Sequence, residues 1–113
     1  MKEFGLMKLA LNEAGASQRR GEVPVGAVVV NPQNGEILAQ AGNRTEELGD
    51  PTAHAELLAI RAAASRLGSS RLLNCDVYVT LEPCAMCAAA IALAKLRKLV
   101  FGAYDPKGGA VEH

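Results

Sequence analysis

Residues 76–102 read DVYVTLEPCAMCAAAIALAKLRKLVFG, and three local signals follow one another within them. Asp76–Leu81 is a short run rich in Val and Tyr, residues that suit a pleated, half-buried surface, and it reads as a strand. Pro83 then opens a helix, because in the first turn its missing N–H leaves no bond unmade and its φ is already helical. The Ala- and Leu-rich run that follows sustains that helix to about Leu96. Leu99–Gly102 returns as a short strand. A helix over residues 84–96 between two strands allows them to run parallel, joined by a right-handed crossover.

Working outward, residues 3–20 carry Phe4, Leu6, Met7, Leu9, Ala10, Leu11 and Ala14 at largely helical spacing, weakened by Gly5 and Gly15. The stretch Arg20-Gly21-Glu22-Val23-Pro24 breaks that pattern. Val25–Asn31 reads as a strand, Pro32-Gln33-Asn34-Gly35 as a turn and Glu36–Ala41 as a returning strand, which together make a hairpin. Gly42–Pro51 is polar and predicts an exposed loop. Thr52–Leu67 predicts a helix, closed by Gly68-Ser69-Ser70. The order α-β-β-α-β-α-β implies a sheet with helices packed on it, an α/β sandwich. Ala103–His113 is Gly-rich and without periodicity.

The 113 residues suit one small domain, 1–113, and the half that are apolar suffice for its core. With no Trp, two Tyr and two Phe, that core must be aliphatic. No apolar run approaches the roughly 18 residues that span a bilayer, and Met1-Lys2-Glu3-Phe4 does not open a signal peptide. The chain therefore reads as cytoplasmic, with no membrane partner. Twelve basic and twelve acidic residues cancel, so net charge does not announce a nucleic-acid binder, although a local basic patch would serve. Three cysteines do not make a disulfide framework. Two of them, as Cys-x-x-Cys in a reducing compartment, suggest metal or redox chemistry.

Cys84 and Cys87 lie three apart at a helix start, so both sulfurs can reach one ion. Unpaired N–H groups and the helix dipole favour negative charge there, which predicts easier thiol deprotonation. His54 stands at the start of the other helix. If both helix starts meet at one crevice, one imidazole and two thiolates leave a tetrahedral corner open, the arrangement of a catalytic zinc site rather than a closed structural one. Cys75 is the only other cysteine and His113 the only other histidine. Two thiolates neutralise a divalent ion and acidify its water less than an all-histidine set would, so an adjacent general base is needed. Glu56, two residues from His54, fits that need.

His-x-Glu followed by Pro-Cys-x-x-Cys is the signature of zinc deaminases acting on cytosine or adenine. Beyond it, Val23–Val28, Gly42-Asn43-Arg44, Asp50–Glu56, Thr80–Cys87 and Phe101–Lys107 together resemble the bacterial tRNA-specific adenosine deaminase family, a resemblance covering roughly residues 4–110. It implies a three-layer α/β/α sandwich of the cytidine-deaminase type, with a mixed central sheet and an N-terminal hairpin. It also implies hydrolytic deamination of adenosine to inosine at the wobble position of a tRNA anticodon loop, by water activated on one Zn2+ per subunit. His54, Cys84 and Cys87 would bind the metal and Glu56 would carry protons. Asn43 and the backbone N–H of Ala55 would hold the purine, and Asp105 and Lys107 would approach the RNA. The resemblance further implies a homodimer engaging a tRNA anticodon stem-loop, and C-terminal helical sequence that does not follow His113 here.

Each residue also has a plainer reading. Asn43 can be a loop residue beside Gly42, Asp50-Pro51-Thr52 a turn and helix cap, and Asp105 a turn residue before Pro106. Arg61, Arg66, Arg71, Lys95, Arg97 and Lys98 can form a phosphate-binding face or an ordinary solvated surface. Ala88–Ala94 suits a core or a dimer interface, and Cys75 a buried apolar position. Within the same chemistry the alternative is a deaminase of a free base or nucleoside, guanine or cytosine. An inactive zinc-containing RNA-binding subunit is disfavoured by the presence of Glu56.

Overall fold

The computed structural model describes residues 2–111, so His113 lies outside the described residues. In chain order the elements are α1 (Glu3–Arg19), β1 (Gly26–Asn31), β2 (Glu36–Gly42), α2 (Thr45–Leu48), α3 (Ala55–Leu67), β3 (Asp76–Leu81), α4 (Ala85–Leu93) and β4 (Lys98–Ala103). The four strands form one sheet in the order β2-β1-β3-β4. β1 runs antiparallel to both β2 and β3, whereas β3 and β4 pair in parallel through α4, so the sheet is mixed as expected.

Strand alternation sorts the apolar side chains onto two faces. Val28, Val30 and Tyr78 face α1, where they pack with Leu6 and Ala10. Ala27, Val29, Val77 and Val79 face the other way and pack with Ala55, Ala59, Ile60 and Ala63 of α3 and Ile91 of α4. The result is the three-layer α/β/α sandwich, with the aliphatic core that the scarcity of aromatics demanded. Cys75 is buried in the second cluster, as a small apolar residue would be.

α1 lies so close to the sheet that a Cβ on Gly26 would collide with the carbonyl oxygen of Ala10 and sit 2.7 Å from the backbone N of Ala14. Backbone atoms cannot turn aside as a flexible side chain can. Gly26→Ala is therefore expected to cost at least about 2–3 kcal/mol. Thermal unfolding followed by circular dichroism should show a midpoint lower by roughly 10 °C.

Three boundaries differ from the sequence reading, each for a physical reason. Gly42–Pro51 is not a plain exposed loop: Gly42 and Asn43 are buried, and α2 forms within it. The Glu22 carboxylate caps that short helix, accepting the N–H groups of Glu46 (3.1 Å) and Glu47 (2.9 Å). Desolvation, the largest single effect, pushes the Glu22 carboxyl up, but these bonds together with the Thr45 hydroxyl and Arg20 bring it below its ordinary value. α3 begins at Ala55 rather than Thr52, because Asp50 Oδ1 accepts both the N–H (2.8 Å) and the hydroxyl (2.7 Å) of Thr52 and turns the chain first. α4 ends at Leu93 rather than near Leu96, since Lys95 takes a left-handed φ of 60°. Among the described residues no helix is long and apolar enough to cross a membrane.

Candidate metal centre and active site

His54 and Cys84 are the residues immediately preceding α3 and α4, both in extended backbone conformation (ψ 152° and 174°). Neither side chain caps its own helix. Both turn instead into the crevice between the two helix starts. His54 Nδ1 lies 3.7 Å from the sulfur of Cys84 and 3.7 Å from that of Cys87. The three candidate ligand atoms all fall within 4.8 Å of one another. One imidazole and two sulfurs at that spacing suit a single ion with tetrahedral preference, and three donors leave one corner for water.

The first N–H groups of α3, which no intrahelical partner can satisfy, are spent on this site. That of Ala55 donates to Asn43 Oδ1 at 2.7 Å. That of Glu56 turns to its own carboxylate, and that of Leu57 to the sulfur of Cys87. The Ala55 donor that the resemblance assigned to the purine is thus already taken by Asn43. Accepting that bond on Oδ1 fixes the Asn43 amide and leaves Nδ2 as its donor end. The backbone of Asn43 is held as well: its carbonyl accepts from Arg20 (3.2 Å) and Ser17 (3.4 Å) at the end of α1.

Glu56 is 4 % exposed. Burial lifts its carboxyl above the ordinary value, while its own N–H, the nearby His54 and Cys87 pull in the other direction. A carboxyl moved up towards neutrality is suited to taking and returning protons. The thiol of Cys87 departs from the expectation of easy deprotonation. Burial pushes it well up, with the neighbouring Glu56 and Cys84 adding to the effect and the Leu57 N–H opposing it. Desolvation beneath α4 outweighs the helix dipole, so the thiolate must be formed as a metal arrives.

Asn43, His54, Glu56 and Cys84 line a cavity of about 200 Å³ whose apolar walls come from Val23, Val25 and Leu81. Glu82 and Asp105 complete it. Cys87 is fully buried below. Asp105 also serves its own turn, accepting the N–H groups of Lys107 (3.1 Å) and Gly108 (3.2 Å). Lys107 lies exposed on that turn, outside the cavity lining. Of the basic residues weighed as a phosphate face, Arg66 pairs with Glu36, Arg97 with Asp76 and Lys98 with Glu3. Glu82 and the wall residues were missed in the sequence. Glu82 offered one signal, a lone acid set between the end of an apolar strand and Pro83.

This fold and this centre define a zinc-binding deaminase domain: the chain belongs to the cytidine and deoxycytidylate deaminase zinc-binding family, whose pattern matches residues 2–103. Within the family it is 58% identical over 106 residues to the tRNA-specific adenosine deaminase of Agrobacterium fabrum, covering 94% of this chain and 68% of that one. A solved structure from studies of A-to-I editing by tRNA:A34 deaminases at the wobble position superposes with a TM-score of 0.95 at 55% identity, covering 99% of this chain and 85% of that one. Guanine deaminase from Bacillus subtilis superposes with a TM-score of 0.88 at 37% identity, covering 92% and 66%.

Proposed function

We propose that the chain is a zinc-dependent deaminase that converts adenosine to inosine at the wobble position of a tRNA anticodon loop. The observation that carries this reading is the buried Glu56 carboxyl, lining the same cavity as two members of a three-donor metal set with an open fourth corner. His54, Cys84 and Cys87 hold the zinc, which when bound supplies an activated water. The net reaction adds water to adenosine and releases ammonia. Glu56 takes one proton of the attacking water and passes it to the purine ring, then takes the second from the resulting C6 hydroxyl and delivers it to the amine, so that ammonia leaves as the C6 carbonyl forms. Asn43, its amide fixed by the Ala55 N–H, donates from Nδ2 to a purine acceptor. A cavity of about 200 Å³ admits a base and not a duplex, so the nucleotide must leave its stack to enter.

Asp105 and Lys107, on the turn at the cavity edge, approach the RNA. The protein works in the cytoplasm, as its tRNA substrate requires, and as a homodimer, the latter supported by the exposed small side chains Ala89 and Ala92 and the 78 % exposed Leu93 on the outer face of α4. The zinc-loaded protein should form inosine at one position of an anticodon stem-loop, read by nucleoside mass spectrometry. It should release no ammonia from free adenosine, guanine or cytosine. Turnover of guanine alone would transfer the chain to the free-base branch.

A further inference from the structure

Glu82 is 2 % exposed and lines the same cavity, yet its carboxylate is directed at backbone rather than at the metal-ligand group. Its Oε1 accepts the N–H of Asp105 (3.1 Å) and its Oε2 that of Val111 (3.0 Å), so the two oxygens grip opposite ends of one loop. The main chain adds to this stitching. Glu82 N–H donates to the Ala103 carbonyl at 2.8 Å, and Ala110 N–H donates to the Pro83 carbonyl at 2.9 Å. Gly109 crosses Glu82 so closely that a Cβ there would collide with the carboxylate and come within 2.7 Å of the Asp105 carbonyl.

The loop buries little apolar surface, although the Tyr104 ring meets Phe101 edge-on with centroids 5.3 Å apart. Tyr104 is 60 % exposed, Val111 43 %, and residues 106–108 are exposed throughout. With so little apolar burial, a buried carboxylate accepting two backbone N–H groups becomes the main constraint on where Asp105 stands. Charge-assisted bonds of this kind are roughly twice as strong as neutral ones. Glu82 is also only two residues from Cys84, so the loop and one candidate metal-ligand arm share an anchor.

We propose that Glu82 is a positioning residue whose carboxylate clamps residues 104–111 against Pro83 and so sets the wall of the cavity that carries Asp105. For what the wall contacts, an RNA substrate, the inference rests on the function proposed above. The clamp itself does not depend on it. Both oxygens are engaged by N–H donors, so Glu82 takes no part in proton transfer, and its effect falls on substrate fit.

Glu82→Gln tests this, because the amide replaces one acceptor by a donor that must face a backbone N–H. In the zinc-loaded variant, hydrogen exchange resolved by NMR should be at least tenfold faster at the amides of Asp105 or Val111, with one zinc per chain retained. The KM for an anticodon stem-loop should rise at least fivefold while kcat changes less than threefold. Gly109→Ala, which pushes the loop off an intact carboxylate, should reproduce both effects and covers the case in which Glu82→Gln does not fold. Unchanged exchange in the loop would overturn the clamp. Faster exchange with an unaltered KM, or loss of zinc in place of faster exchange, would overturn the positioning role. If the wild-type protein turns over no RNA, the exchange arm still decides the clamp, and only the functional reading falls.

Discussion

Glu56→Gln is expected to lower turnover by about 10²–10⁴-fold while leaving one zinc per chain in place. Gln fills the same buried volume and keeps a carbonyl to accept the residue's own N–H, so the first turn of α3 has no reason to move. What it removes is the capacity to gain and lose a proton beside the open corner of the centre. A loss in kcat with little change in KM, at constant metal content, is the pattern of a group acting on the reacting atoms. Retained activity would remove Glu56 from the chemistry, and loss of zinc would make it part of the metal site. Stability carries a second readout with a definite sign. Burial raises the Glu56 carboxyl in the folded metal-free protein above the reference value of 4.5. The folded state therefore holds a proton that the unfolded chain has released. Relative to Glu56→Gln, metal-free wild type should lose stability as pH rises from about 4.5 through the raised value, since the other carboxyls contribute equally to both proteins. Denaturant unfolding of both proteins across that range would show their midpoints diverging.

The parts of this molecule legible in the sequence are those in which one local signal suffices. Asp76–Leu81 is a strand because its alternating residues pack on both faces of the sheet, and Pro83 announces the next helix, although it stands before the Cys84 cap and the helix begins only at Ala85. That His54, Cys84 and Cys87 would converge with Glu56 beside them could be anticipated because few residue types suit metal ligation or proton transfer, and Cys84 and Cys87 are spaced as on one helix face. What stayed hidden depends on groups distant in the chain that meet only after folding. Nothing near residues 45–48 announces a helix, because its cap is Glu22, over twenty residues away. The sequence places Asn43 at the purine, with a plain loop residue beside Gly42 as the alternative, but nothing local shows that its side chain takes the N–H of Ala55 and that its carbonyl is held from α1. The raised Cys87 thiol was hidden for the same reason. Its position in the first helical turn is local, but the burial that dominates its acidity is a property of the whole packed centre.

Cys87→Ala is expected to abolish zinc binding and turnover together, and the reason lies in how little slack the centre has. Three donors suffice only while all three converge, since the open corner must be left for water. Removing the fully buried sulfur leaves His54 and Cys84, a pair that cannot close a tetrahedron without recruiting solvent at two corners. Metal content by atomic emission should fall below a tenth of an equivalent after gel filtration. An equivalent of zinc retained by this variant would refute the ligand set. The fold should survive, because Cys87 belongs to neither apolar cluster, and far-ultraviolet circular dichroism should be unchanged. Chelation of wild-type protein should accordingly lower the unfolding midpoint without unfolding it at 25 °C. A metal present at about a thousand times its dissociation constant contributes roughly 4 kcal/mol. For a domain of this size that corresponds to a midpoint shift of some 15–30 °C, to which Cys87→Ala should be blind. Zinc binding should also release protons, because the buried Cys87 thiol is neutral until the ion displaces its hydrogen. Titration calorimetry in buffers of different ionisation enthalpy should therefore give heats that vary with the buffer by at least one proton per zinc. Heats independent of the buffer would mean that Cys87 is already a thiolate before the metal arrives.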